Sequence, residues 1–154
     1  MLVTTMPLRD ITNTGAQMGR LARQYATDMA PYASWSLESV QRMVTNLPYR
    51  LDPEGREALH RPWISLHGDG IGRDCDDKAI CMGAWAHLQG WHFRFVAAGN
   101  GDGIVRPAYH HVFCEILVPG TGWVRVDATY DYDRVGRHKT YKNLKTIFTT
   151  EPKR

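Results

Sequence analysis

A chain of 154 residues fits one domain with room for a buried core. Hydrophobic residues make up 43% and charged residues 23%, an ordinary globular balance, and no run of about 18 apolar residues exists to form a membrane-spanning helix. The net charge of +3 is mild and no nucleic-acid motif accompanies it, so neither a nucleic-acid partner nor a membrane is expected.

The first fifteen residues, MLVTTMPLRDITNTG, have neither a basic start nor a continuous apolar stretch, so no secretory signal is expected. From there Thr14 is placed to cap a helix over about 16–29, on a stripe of Met18, Leu21, Ala22, Tyr25 and Met29, with Pro31 as its stop. Ser36, with Ser39 three residues on, opens a second helix whose apolar face is Leu37, Val40, Met43 and Val44, and Asn46-Leu47-Pro48 ends it. Tyr49 to Gly55 reads as an extended piece and a turn, and a loop with Pro62, Gly68, Gly70 and Gly72 follows.

A third helix is predicted from Cys75 to about Gln89 and stopped by Gly90. Asp74, Asp76 and Asp77 crowd its first turn, where carboxylates favour the helix dipole and are expected to cap the helix or pair with Lys78 and Arg73. Cys75, Ala79, Met82, Gly83 and Ala86 fall on one mostly small stripe that can press onto a sheet. The pattern then changes to period two, giving strands over about 91–98, 109–118 and 123–130. A flexible connection, Gly99 to Gly103, joins the first two; it lacks the ligand spacing of a calcium loop. Pro119-Gly120-Thr121-Gly122 turns the last two into an antiparallel hairpin. The remaining residues, from 131 to 154, with Arg134, Arg137, Lys139, Lys142, Lys145, Lys153 and Arg154, read as a basic, solvated tail. The single domain thus has a core over about 36–130, a helical extension over 1–35 and that tail.

Strand alternation selects the groups that can meet. His111, Phe113, Glu115 and Leu117 share one face of their strand, and Trp123, Arg125, Asp127 and Thr129 share one face of the next. Matching the opposite, apolar faces (Val112, Cys114, Ile116 against Val124, Val126, Ala128) sets His111 beside Asp127 and turns His110 away. A cysteine at a helix N-terminus, an imidazole and a carboxylate are the parts of a thiol nucleophile, a base and an orienter. The acidic neighbours of Cys75 work against its ionisation. Cys81 and Cys114 read as buried structural thiols, and three cysteines without a CxxC pair suit a reducing compartment rather than a zinc site. Adjacent His110 and His111 on a strand point to opposite faces, which disfavours a metal centre built on both. No cofactor is implied.

GRDCDDKAICMGAWAHLQGWHFRFVAAG, followed by HVFCEILVPGTGWVRVDATY, resembles the core of the transglutaminase-like superfamily. The likeness lies in a cysteine opening a helix (Cys75), a strand beginning His-x-aromatic (His111, Phe113), and Trp-x-x-x-Asp (Trp123, Asp127). Residues 40–77 resemble the lead-in of a branch found in tailed phages and prophages, and the whole likeness covers about residues 16–130. It implies an α+β, papain-like fold with N-terminal helices and a catalytic helix on an antiparallel sheet. It also implies thiol-dependent attack on an amide by Cys75, with His111 moving the proton and Asp127 orienting it. The substrate would be a protein or peptide, and the acceptor water or an amine. The backbone amide of Cys75 is the natural oxyanion donor, with a second from residues 62–72. The phage likeness points to other phage structural proteins as partners, in the host cytoplasm or a virion. The rival expectation is a non-catalytic structural component of a phage particle. Arg73, between Gly72 and Asp74, and Phe113, where the family often has tryptophan, depart from the pattern.

Overall fold

The computed structural model describes residues 3–7, 11–50, 56–68, 73–130, 135 and 139–151, with 3–7, 56 and 57 as backbone alone. Along the chain these form β1 (Val3–Pro7), α1 (Ile11–Gln24), a 3-10 segment (Ala26–Tyr32), α2 (Leu37–Thr45), β2 (Arg56–His60) and α3 (Pro62–His67). Then come α4 (Cys75–Leu88), β3 (Phe93–Gly99), β4 (His111–Val118), β5 (Gly122–Arg125) and β6 (Asn143–Thr149). The architecture is α+β, with helices packed on an antiparallel four-stranded sheet ordered β5-β4-β3-β6 and a separate β1-β2 pair.

The predicted first helix begins and ends earlier, at Ile11 and Gln24. Thr14 is buried inside α1 rather than capping it, and the chain leaves α geometry at Tyr25 (φ −115°, ψ 27°) for the 3-10 segment that contains Pro31. Proline has no N–H for the carbonyl four residues back, so α bonding cannot run through it. Ser36 does cap α2, its hydroxyl accepting the Ser39 amide at 3.2 Å. The stretch read as a loop around Pro62 contains α3, with Pro62 in its first turn, where a missing N–H costs nothing. β2 lies just before it and pairs with β1 in the segment read as a helical extension. Residues 51–55 and 69–72, parts of the predicted turn and loop, lie outside the described residues.

Helix α4 is the centre of the fold. Asp74 accepts the Asp77 amide while the Asp77 carboxylate accepts the Asp74 amide, a reciprocal capping box that fixes the helix start. Such a cap contributes about 1 kcal/mol. Every residue from Asp76 to Ala86 is buried. Gly83 packs tightly against the sheet, since a Cβ there would lie 2.8 Å from the Phe93 ring and 2.9 Å from Phe95. The small stripe read from the sequence is therefore the packing face. Gly90, at φ +80°, ends the helix in the left-handed conformation.

The β3–β4 register pairs Phe93 with Ile116, Phe95 with Cys114 and Ala97 with Val112. Phe93, Phe95, Ala97, Cys114 and Ile116 belong to the main core with α4. The other face pairs Val96 with Phe113 and Ala98 with His111, and Tyr141 covers Val96, Ala98 and Phe113 in a second small core. Tyr141 and β6 belong to the stretch expected to be a solvated tail. The β3–β6 register shifts between Phe95 and Val96, so that Phe148 pairs with Phe95 and Thr146 with Val96, leaving Ile147 as the extra residue. β5 is shorter than predicted, ending at Arg125, though Val126 still donates to the Cys114 carbonyl at 2.9 Å. No helix among the described residues is long and apolar enough to cross a membrane.

Candidate active site

Three elements converge on a cleft of about 880 Å³ walled by Cys75 and Asp76 of α4, Ala97 of β3, the β3–β4 connection, and His111 and Val112 of β4. Cys75 is the first residue of α4, held there by the capping box behind it, and is partly exposed to the cleft. The backbone amide of Val112 reaches its sulfur, which places the thiol against the start of β4, one residue from His111.

His111 is 4% exposed and Asp127 3%. His111 Nε2 lies 2.6 Å from Asp127 Oδ2. The face assignment from strand alternation therefore brings this pair together, although Asp127 sits two residues beyond the end of β5. The second carboxylate oxygen accepts the Thr129 amide at 3.1 Å, and the Asp127 carbonyl accepts the Gln41 side-chain amide of α2 at 2.8 Å. The His111 ring is also held by aromatic neighbours: Tyr141 stacks at 5.8 Å between centroids and Tyr130 lies at 5.4 Å. With Nε2 engaged by Asp127, Nδ1 is the ring nitrogen left for another partner.

The thiol does not hydrogen-bond that ring. It is turned to Asp76, with Sγ 3.7 Å from Oδ1. Desolvation pushes the Cys75 thiol well up from its ordinary range, the Asp76 and Asp74 carboxylates push it further, and the Val112 amide works the other way. In this arrangement the thiol is protonated at neutral pH. Of the three aspartates, Asp74 and Asp77 cap the helix as expected, and Asp77 Oδ1 also accepts the His60 backbone amide at 2.9 Å. Lys78 reaches the Thr45 carbonyl at 3.0 Å, and Arg73 the carbonyls of Ser65 (2.9 Å) and Gly68 (3.3 Å).

The backbone amide of Cys75, the expected oxyanion donor, is directed at the Tyr49 hydroxyl oxygen. Burial, then the nearby Cys75 and Asp74, push the Tyr49 phenol up, so it keeps its proton and can donate. Tyr49, Tyr141 and Gln41 are site residues that sequence reasoning missed. Tyr49 is the first residue of a stretch read as extended, and nothing in its spacing pointed to Cys75. His110 is exposed and lies against Tyr141 rather than beside His111's carboxylate. Cys81 and Cys114 are fully buried, as structural thiols should be. Among the described residues no three His, Cys, Asp or Glu side chains cluster as a metal site would require.

The sequence profile of the transglutaminase-like superfamily matches residues 20–128, a span that takes in Cys75, His111 and Asp127. Neither the curated proteins nor the solved structures gave a match.

Proposed function

The chain belongs to the transglutaminase-like superfamily, and on that premise we propose that it is a thiol-dependent acyl-transfer enzyme acting on amides of a protein or peptide. The observation that carries the reading is the 2.6 Å His111–Asp127 contact at the wall of the cleft into which Cys75 opens. In the reaction Cys75 Sγ forms a bond to the carbonyl carbon while His111 Nδ1 takes the thiol proton. Asp127 holds the ring and balances the charge it gains. The tetrahedral intermediate collapses with cleavage of the C–N bond, His111 returning the proton to the departing amine. Water or a second amine then attacks the thioester, releasing acid or new amide and restoring the thiol. The Cys75 amide, which at rest donates to the Tyr49 hydroxyl oxygen, and the Tyr49 hydroxyl become the donors to the intermediate's oxygen once that oxygen displaces their resting contact.

Because the resting thiol is protonated, proton transfer to His111 belongs to the attack itself rather than to a preformed ion pair. Cys75 must turn from Asp76 toward His111, a side-chain rotation at the mouth of the cleft. The thiol's contact with Asp76 also favours a second reading, a non-catalytic structural protein that keeps the fold. A place for either activity in a virion or its assembly rests on the likeness of residues 40–77 to the phage branch. Reaction with p-nitrophenyl acetate separates the two readings. The enzyme reading expects one acetyl group on Cys75 and none on the Cys75→Ala protein; equal acetylation of both proteins, or none, favours the structural one.

A further inference from the structure

The two most exposed large apolar side chains among the described residues are Ile104 (89%) and Val105 (85%), and both wall the cleft that holds Cys75 and His111. Adjacent aliphatic side chains left in water beside a reactive group are the form a contact surface takes before its ligand arrives. The connection that carries them is fixed, although the sequence reads as a flexible loop. Asp102 Oδ1 accepts the amides of Ile104 (2.8 Å), Val105 (2.9 Å) and Arg106 (3.2 Å), and Gly103 donates to the Arg106 carbonyl at 2.9 Å. Asn143 of β6 ties both arms together, donating to the carbonyls of Gly101 (2.8 Å) and Ala108 (3.1 Å). The arms lie so close that a Cβ on Gly99 would meet the Ala108 oxygen at 2.1 Å and one on Gly101 the Pro107 oxygen at 2.0 Å.

From this geometry we infer that Ile104 and Val105 are specificity-determining residues, which select a peptide carrying an aliphatic side chain beside the amide that Cys75 attacks. The inference rests on the acyl-transfer reading and names its substrate class. The loop is already ordered, so contact with it costs little conformational entropy. Its apolar side chains share one continuous cleft with the thiol, so a segment that covers them lies within reach of Sγ. A polar segment would gain nothing from that wall and would lose water from its own groups.

A matched pair of alkylating probes tests this: iodoacetamide and N-isopentyl iodoacetamide. In each, sulfur displaces iodide from the methylene carbon, leaving a thioether whose attachment to Cys75 is read by peptide mass. The ratio of the two rates cancels any change in thiol ionisation. The wild-type protein is expected to favour the isopentyl probe by about tenfold, as one apolar group in a fitted pocket allows. Ile104→Ser/Val105→Ser should bring the ratio close to that of N-acetylcysteine. Both side chains are in solvent and Asp102 bonds only their backbone, so the replacement leaves the loop's supports in place. An equal ratio in the two proteins, or a wild-type ratio equal to that of N-acetylcysteine, would overturn the inference. So would substitutions that leave the ratio alone while abolishing self-association, which would assign the surface to a second copy. Acetylation by p-nitrophenyl acetate reports separately on whether the thiol attacks a carbonyl, so failure of the two ideas can be told apart.

Discussion

His111 and Asp127 are 16 residues apart in the chain, and their side chains meet at 2.6 Å in a buried setting. The contact runs through Nε2, so the carboxylate sets both the tautomer and the direction in which Nδ1 points. Asp127→Asn keeps the shape and replaces an acceptor by an amide that can favour the wrong tautomer. Acetylation of Cys75 should fall by about 10²–10⁴-fold with the thermal unfolding midpoint little changed. A loss of activity matched by an equal loss of folded protein would mark the pair as structural.

Asp76 acts on the same thiol in the opposite sense. It stands 3.7 Å from Sγ and, after desolvation, is the largest cause of the thiol's upward shift. Asp76→Asn removes a negative charge while keeping the volume, so alkylation of Cys75 by iodoacetamide should reach its half-maximal rate at lower pH than in the wild type. An unchanged pH profile would show that burial and the thiol's other neighbours, not Asp76, set the ionisation.

Tyr49 hydroxyl faces the Cys75 amide. Tyr49→Phe removes one donor from the oxyanion position while leaving the ring, so kcat for ester or amide turnover should fall by about 10–10³-fold with KM little changed. A variant that loses substrate affinity at constant kcat would instead make Tyr49 a binding residue.

Gly83→Ala puts a methyl group 2.8 Å from the Phe93 ring and 2.9 Å from Phe95. The α4–β3 contact must open or the rings must turn, at a cost of about 1–3 kcal/mol. Urea unfolding should show it as a lower midpoint at constant slope. Since α4 carries Cys75, a surviving Gly83→Ala fold should also acetylate more slowly.

Alkaline stability follows from the buried thiols. Burial, with Asp77 nearby, pushes Cys81 from 9.0 up to about 12. Below pH 9 it is protonated in both states and costs nothing. Between about 9 and about 12 the unfolded chain ionises and the folded one does not, so stability falls as pH rises, by about 1.4 kcal/mol per pH unit for this group. Cys81→Ala should be less stable at neutral pH, from the lost packing, yet show a shallower fall over that window. Equal slopes would mean that Cys81 ionises alike in both states.

The central helix, its acidic cap, the β4–β5 hairpin and the His111–Asp127 pairing were legible because each has a local rule: capping chemistry, turn glycines and alternation. β6 was not, since Ile147 sits as an extra residue at a register shift and breaks the period of two. β1 and β2 are five residues each and α3 six, too short for their periodicity to stand out. Tyr49, Gln41 and Tyr141 reach the site from distant segments, and no spacing rule links residue 41 to the carbonyl of residue 127. The direction of the Cys75 thiol, toward Asp76 and not His111, is a rotamer that alternation cannot specify.

Because the resting thiol is protonated, acyl transfer requires His111 to take its proton during attack. The most direct measurement is the single-turnover rate of Cys75 acetylation by p-nitrophenyl acetate at pH 7 in the wild type and in His111→Ala, with the site of modification read by peptide mass. One acetyl group on Cys75 is expected, with a rate at least about 10²-fold lower without the imidazole. Equal rates in the two proteins, or acetylation spread over other residues, would contradict this expectation.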